Sequence, residues 1–339
     1  MLKAKLSSFL KLVFSIGLGV YLTWFFFENM SKKDIDIFKS AILNSNLWYI
    51  GFSLVLALVS YISRAYRWGL TLHPLGHKSS FWNQYHSLMI GYLVNMTIPR
   101  AGEFSRAVML KRSDNIPIAA SFGTIVMERL VDMLILLTIT LCTIFSRREE
   151  ALSIVSDLKI AFLGKGEAQA SGNTSSLLLL FGSLVLLLLL WVVLRKKTRM
   201  KAIEFIRSLK AGVLSIFKVK RSGAYLFHTF LIWSAYLVMF ALPFWALQET
   251  ANVPIPGMFL AFIFGAIGIS FTNGGMGAYP LLIGITTAYY LKQMGVDDPL
   301  AIGNAIGMVI WATQTLFLIL LGLISLVLMP RKYKSNEKD

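Results

Sequence analysis

The sequence predicts an all-α integral membrane protein, a polytopic helical bundle of about eight spans with additional broken helices. Of its 339 residues, 56% are hydrophobic, and the mean hydropathy is +0.66. This composition, with uncharged aliphatic runs such as 177–190, is typical of a polytopic membrane protein and not of a soluble core. Two Gly/Pro-broken stretches, 95–106 and 271–280, interrupt the apolar pattern in opposite halves of the chain. Such a pair is typical of transporters, and an inverted repeat is one arrangement it suggests.

Apolar length defines the candidate spans and the segments between them. The run up to Phe27 lacks a small-residue cleavage site after it, so we expect a retained first span. We expect an external loop over 147–174, an amphipathic basic helix on the inner leaflet over 199–217, and a single membrane domain over 1–330 followed by a polar cytoplasmic tail, 331–339. The predicted spans are 9–27, 47–63, 116–146, 175–194, 224–248, 254–272, 277–291 and 300–329.

Loop charge determines the topology of the polar-diluted segment 81–112. If it crossed the membrane once, the strongly basic run 195–221 would lie outside, against the tendency of Lys and Arg to stay in the cytoplasm. If it enters and leaves from one side, about three quarters of the 33 Lys and Arg residues lie inside. The sequence therefore predicts a re-entrant hairpin over 81–112, a second broken element over 254–291, and cytoplasmic N- and C-termini in a bacterial plasma membrane.

Composition also narrows the function classes. The net charge of +16 could suggest nucleic acid, but in a membrane chain it reflects topology and contact with anionic lipid, so no nucleic-acid partner is expected. The single Cys and four scattered His form no metal-ligand pattern, and no nucleophile–base pair is visible. We therefore expect neither a metal, a cofactor nor an enzyme, and we leave a homodimer open.

The first broken stretch contains a candidate anion site. A helix beginning near Gly102 would place Arg100, Glu103 and Arg106 at three-residue spacing on one face. Its free N–H groups and the two arginines suit a phosphate, with Asn95 just before the break. The alternative is an internal ion pair between Glu103 and Arg106. Function is favoured because ionisable groups at membrane depth are costly.

Two further charged groups lie in apolar runs. Arg64 and Arg67 share a helix face, either at the site or snorkelling to inner-leaflet headgroups. Glu128 and Asp132 share another face, while Arg129 points elsewhere. Both acids are expected to converge with Arg100, Glu103 and Arg106 in one interior cluster; proton coupling and a structural charge network remain alternatives for the acids and Arg129.

The second broken stretch is rich in glycine. Asn273, Gly274, Gly275 and Gly277 allow close backbone approach to a ligand, although plain helix packing is the alternative. The two stretches together predict a transporter of an anionic lipid. Its candidate substrate site consists of thirteen residues, namely Arg64, Arg67, Asn95, Arg100, Glu103, Arg106, Glu128, Arg129, Asp132, Asn273, Gly274, Gly275 and Gly277.

Several motifs resemble the lysylphosphatidylglycerol synthetase transmembrane family, also called flippase-like domain proteins, over roughly 8–330. The resemblance implies a flippase for an anionic or aminoacylated phospholipid or a polyisoprenoid phosphate, without the soluble aminoacyl-transferase domain. Asn273 stands where the family usually has Pro, and Pro280 where it has Glu, so no role of that acid is carried over. The alternative is a non-transporting lipid-binding or scaffold partner of an envelope-lipid enzyme. The motifs are Arg64-Ala-Tyr-Arg-Trp68, Ile90-Gly-Tyr-Leu-Val-Asn95, Pro99, Gly102-Glu-Phe-Ser-Arg106, Glu128-Arg129 with Asp132, and Gly274-Gly-Met-Gly277.

Overall fold

The computed structural model describes residues 32–98, 101–163 and 221–329, and every element in those ranges is a helix. Short 3-10 turns follow or separate some of the α-helices. The α-helices are α1 Lys32–Leu43, α2 Leu47–Leu72, α3 Phe81–Thr97, α4 Gly102–Asp114, α5 Ile118–Ser146, α6 Arg148–Leu163, α7 Ser222–Ala241, α8 Ile255–Phe271, α9 Ala278–Gln293 and α10 Pro299–Leu328.

The predicted fold class is confirmed: the described chain is an all-α bundle of membrane type. Three of its helical segments are long and apolar enough to cross a bilayer, namely Leu47–Leu75, Ser222–Trp245 and Pro299–Leu328. They coincide with predicted spans, and the predicted span 116–146 is the 29-residue helix α5. The predicted spans 9–27 and 175–194, the amphipathic segment 199–217 and the tail 331–339 lie outside the described residues.

The chain forms two compact units. Unit 1 comprises Met1–Val126 and Gly223–Asp339, and unit 2 comprises Met127–Ser222. The boundary falls within α5, so the described part of unit 2 is the second half of that helix together with α6. Both hairpins described next belong to unit 1.

Helices α3 and α4 form a tight hairpin at the first predicted break. They contain 17 and 13 residues, about 26 and 20 Å, and each is shorter than the hydrocarbon thickness of about 30 Å. Their backbones touch, because a Cβ on Gly91 would lie 2.8 Å from the carbonyl oxygen of Gly102. The Asn95 side-chain oxygen accepts a hydrogen bond from the Gly102 N–H at 2.7 Å. This geometry suits the predicted re-entrant hairpin, whose entry side stays a prediction.

A carboxylate ties the open end of this hairpin. Asp114, the last residue of α4, accepts hydrogen bonds from the Ser79 hydroxyl and the Asn83 amide, each at 2.7 Å. Ser79 precedes α3 and Asn83 lies in its first turn. The start of α3 is therefore joined to the end of α4, and both ends of the hairpin lie at one level.

Helices α8 and α9 form a second hairpin at the Gly-rich break. They contain 17 and 16 residues. Between them Gly274, Gly275 and Gly277 adopt positive φ angles of 62°, 75° and 71°. The left-handed region is open to glycine at no steric cost, so these residues reverse the chain between two apolar helices. The predicted second broken element is present.

The tips of the two hairpins meet. The terminal methyl group of Met96, at the end of α3, occupies the place where a Cβ on Gly274 would stand. The Gly274 carbonyl also accepts a hydrogen bond from the Trp311 indole N–H of α10 at 2.9 Å. Helix α10 then continues along α3, with Gly322 against Leu93. A long helix therefore supports both breaks from one side.

The order of elements repeats. A long helix, a broken hairpin and another long helix occur as α2, α3–α4 and α5, and again as α7, α8–α9 and α10. The leading helices α2 and α7 run antiparallel, because Tyr49 packs on Trp245 at one end and Arg67 on Tyr225 at the other. This is the arrangement expected of an inverted repeat.

The prediction of a loop over 147–174 is wrong in its first part, which is helix α6. The segment 148–163 contains neither Gly nor Pro and is rich in Leu, Ala and Glu, which favour helix. Glu149 and Glu150 lie in the first turn, where negative charge is stabilising, and Ala151 and Ile154 are buried. Mixed charge alone does not indicate a loop here, because the apolar residues follow a helical period.

Candidate functional site

Arg64 and Arg67 lie inside the bundle near the end of α2. Their exposed fractions are 4% and 0%. An Arg64 Nη1 group donates to the Tyr236 hydroxyl at 2.6 Å, and an Arg67 Nη1 group donates to the Thr229 hydroxyl at 3.2 Å. A snorkelling arginine would expose its guanidinium to headgroups and water. Their burial therefore disfavours the snorkelling alternative for both residues.

Helix α7 supplies the polar face that meets these arginines. Tyr225, Thr229 and Tyr236 recur at helical spacing within an otherwise apolar segment, so they share one side of the helix. The Tyr225 ring also lies 5.5 Å from the Arg67 guanidinium carbon, within cation–π range. The sequence analysis missed these three residues, although their period within an apolar span was the available signal.

Arg106 is held by Trp68. It is 2% exposed, and its guanidinium carbon lies 3.7 Å from the centre of the Trp68 ring, which is itself fully buried. The indole N–H donates to the Thr124 hydroxyl at 2.9 Å, and Thr124 donates to the Ser121 carbonyl at 2.7 Å. This chain of contacts joins α2, α4 and the start of α5. Trp68 and Thr124 were not predicted as site residues, although Trp68 directly follows Arg67.

The helix predicted to begin near Gly102 does begin there. Glu103 lies in its first turn, where the helix dipole favours a carboxylate. Asn95, predicted to bind substrate, uses its side-chain oxygen to cap the Gly102 N–H. That contact gives Asn95 a structural role at the tip of the hairpin. Arg100 lies outside the described residues.

The glycines of the second break have a conformational role. Positive φ angles at Gly274, Gly275 and Gly277 make other residues strained there, and the terminal methyl group of Met96 would have to move to admit a side chain on Gly274. These features explain the glycines without a ligand, and their contact with substrate stays a prediction. The side chain of Asn273 lies outside the described part of the chain.

The predicted acidic pair is buried in unit 2. Glu128 and Asp132 are 0% and 9% exposed, one helical turn apart on α5, and Arg129 is partly buried. In the described chain they are the buried carboxylates, and Arg64, Arg67 and Arg106 are the buried cations. The convergence of the acids with the arginines stays a prediction.

Comparison with known proteins agrees with this architecture. The model of one family, the lysylphosphatidylglycerol synthase TM region, matches residues 9–322. The UPF0104 membrane protein MJ1595 of Methanocaldococcus jannaschii is 28% identical over 118 residues, which cover 34% of this chain and 35% of that protein. The alignment thus spans about a third of that relative's length. No solved structure matches the chain significantly.

Proposed function

We propose that this chain, which belongs to the lysylphosphatidylglycerol synthase TM region family, translocates an anionic lipid between the leaflets of the membrane in which it is embedded. The observation that carries the proposal is the burial of Arg64, Arg67 and Arg106 in an apolar helical bundle. A buried guanidinium is costly in a membrane protein, and such groups are usually retained for function.

Arginine suits a phosphate-bearing headgroup. Its planar guanidinium presents a rigid fork of donors that matches phosphate oxygens, and it stays charged in an apolar setting. Trp68 fixes the plane of the Arg106 guanidinium by stacking on it, and Tyr236 and Thr229 orient Arg64 and Arg67. Groups held in this way need little reorganisation when a headgroup arrives.

The two hairpins provide a route for the headgroup. Broken helices at membrane depth are tolerated where they are buried in protein or line a polar cavity. Two hairpins that meet at their tips, in halves whose leading helices run antiparallel, form the arrangement around which secondary transporters alternate their access. The headgroup would pass between the arginines and the tips, while the acyl or prenyl chains remain in lipid.

We propose a location in the bacterial plasma membrane with both termini in the cytoplasm. The collection of basic residues on one side of the predicted spans supports this orientation. The substrate classes that fit the arginines are an anionic or aminoacylated phospholipid and a polyisoprenoid phosphate. The proposed role is physical movement of the lipid and includes no chemical step.

Reconstitution into phosphatidylglycerol vesicles tests the proposal. An acyl-chain fluorophore on a trace of phosphatidylglycerol, quenched from outside by dithionite, reports how fast lipid in the inner leaflet reaches the outer one. We expect the wild type to remove the protected inner pool. Arg106→Gln should slow that loss roughly tenfold or more, since hydrogen bonds to charged groups contribute about 1.5–3 kcal/mol.

Arg147→Gln is the matched control. Arg147 is an exposed arginine of unit 2 that pairs with Glu150 at 3.1 Å, so its loss removes the same charge and leaves the three buried arginines in place. Transport by this variant should equal that of the wild type. If the wild type binds phosphatidylglycerol but leaves the inner pool protected, the transporter hypothesis is wrong and the protein is a lipid-binding partner.

A further inference from the structure

Two buried polar side chains of unit 1 are among those that lack hydrogen-bond partners within the described residues. They are the hydroxyl of Tyr92 on α3 and the amide of Gln314 on α10, of which both the oxygen and the nitrogen are buried and unpaired. A buried polar group without a partner costs free energy, and inside a bilayer no bulk water is present to compensate. Such groups in a folded protein call for a ligand or an ordered water.

Both side chains lie at the middle depth of the bundle. Gln314 is about 22 Å from either end of the 30-residue helix α10. Tyr92 is about 16 Å along α3 from its start at Phe81. Arg64 lies nearer the end of α2, at about 12 Å, than Tyr92 lies to the start of α3 or Gln314 to either end of α10. Measured from these helix ends, the charged arginine side chains therefore lie nearer the ends, and the uncharged Tyr92 and Gln314 side chains lie deeper along the helix axes.

The two groups face the same interior. Phe317 and Leu321 of α10 pack on the cluster that contains Tyr61 of α2, and Tyr92 packs on that same cluster. Gln314 lies three and seven residues before Phe317 and Leu321, hence on the same stripe of α10. The Tyr61 and Tyr92 rings are 5.6 Å apart. The amide and the hydroxyl thus border one region between α2, α3 and α10.

We infer that Tyr92 and Gln314 form a second, uncharged subsite at mid-membrane that binds the hydroxyl-bearing part of a lipid headgroup, such as its glycerol or sugar. A hydroxyl offers both a donor and an acceptor, and it meets the needs of a phenol and a carboxamide without bringing a charge to the centre of the bilayer. The inference rests on the proposed function, since it assigns this subsite to the same headgroup whose phosphate the arginines hold.

Two lipids with identical acyl chains separate this subsite from the phosphate site. Phosphatidylglycerol carries a phosphate and two free hydroxyls, whereas phosphatidic acid carries the phosphate alone. Native mass spectrometry of the detergent-solubilised full chain measures how much of each lipid stays bound from an equal mixture. We expect the wild type to retain more phosphatidylglycerol, and Tyr92→Phe or Gln314→Leu to reduce that preference roughly three- to tenfold, the range for a neutral hydrogen bond.

Stability provides a second readout. Removing a buried polar group that has no partner in the described part of the chain should leave the melting temperature of the lipid-free protein unchanged or higher, so reduced preference would not result from misfolding. Thr313→Val is the matched control. Its hydroxyl already donates to the Val309 carbonyl of its own helix at 2.6 Å, one position before Gln314, so this variant should keep the wild-type preference.

The outcomes distinguish the two proposals. No preference in the wild type, or an unchanged preference in both variants, would overturn the subsite. Lost preference in a protein that moves neither lipid in vesicles would support the subsite and overturn transport. Equal loss of both lipids in the variants would assign the two groups to the phosphate site or to a water-filled cavity, and would also overturn the inference.

Discussion

Substitution of the glycines at the α3–α4 contact should destabilise the protein, whereas substitution of helical glycines that face open space should not. A Cβ on Gly102 would overlap the Gly91 carbonyl oxygen and lie 2.5 Å from the Asn95 Cγ atom. A Cβ on Gly91 would lie 2.8 Å from the Gly102 carbonyl oxygen. These obstacles are mainly backbone, so the two helices would have to separate.

The expected magnitude follows from that geometry. Overpacking typically costs about 1–3 kcal/mol, and a clash with backbone should reach the upper part of that range. Against it stands the helix propensity of Ala over Gly, which is about 1 kcal/mol in a helix interior and smaller at Gly102, the first residue of α4. We therefore expect a net loss of about 1–2 kcal/mol for Gly102→Ala, accompanied by loss of transport because the hairpin tip shifts away from its partner.

Gly51 and Gly123 provide the matched controls. Both lie inside helices, and a Cβ on either would meet no atom within 4 Å. The same Gly→Ala change should therefore raise the melting temperature in detergent or leave it unchanged. Circular dichroism during heating measures that temperature. If Gly102→Ala behaves like these controls, or if it retains wild-type transport, the tight backbone contact in the hairpin does not exist as described.

Three further predictions concern the site and its support. Trp68→Leu should lower phosphatidylglycerol transport by about 30-fold, as expected for loss of a desolvated cation–π contact of about 2 kcal/mol with Arg106; equal transport in vesicles would contradict this. Asp114→Ala should expose the turn before α3 to limited proteolysis, because it removes two 2.7 Å hydrogen bonds at the hairpin base, and an unchanged cleavage pattern would contradict it. Arg106→Glu should abolish transport, and the double swap with Glu103→Arg should not restore it, since a phosphate site depends on where the donors stand. Recovered transport in the double variant would assign both residues to a structural ion pair.

The sequence by itself determined the class of the protein and the positions of its breaks. Apolar length predicted the helices now seen as α2, α7 and α10, and the Gly/Pro content of 95–106 and 271–280 predicted both hairpins. These features are readable locally for two reasons. Proline and clustered glycines are unfavourable in a helix interior, so they mark a break. In a bilayer the backbone groups of a helix must be paired within its own segment, so apolar length marks a span. Loop charge contributed topology, which is also readable along the chain.

Only the tertiary structure decided what each polar side chain meets. Trp68 stacks on Arg106 from a different helix, and Met96 fills the space beside Gly274. The Tyr236 hydroxyl accepts a hydrogen bond from Arg64, 172 residues earlier in the sequence. The side-chain oxygen of Asn95 caps the backbone N–H of Gly102, seven residues later, at the tip of the hairpin. The Gln314 amide became informative only once both of its polar atoms were known to be buried without a hydrogen-bond partner among the described residues. Periodicity assigns a residue to a helix face, but the partner of that face is set by packing between segments far apart in the chain, which no local pattern encodes.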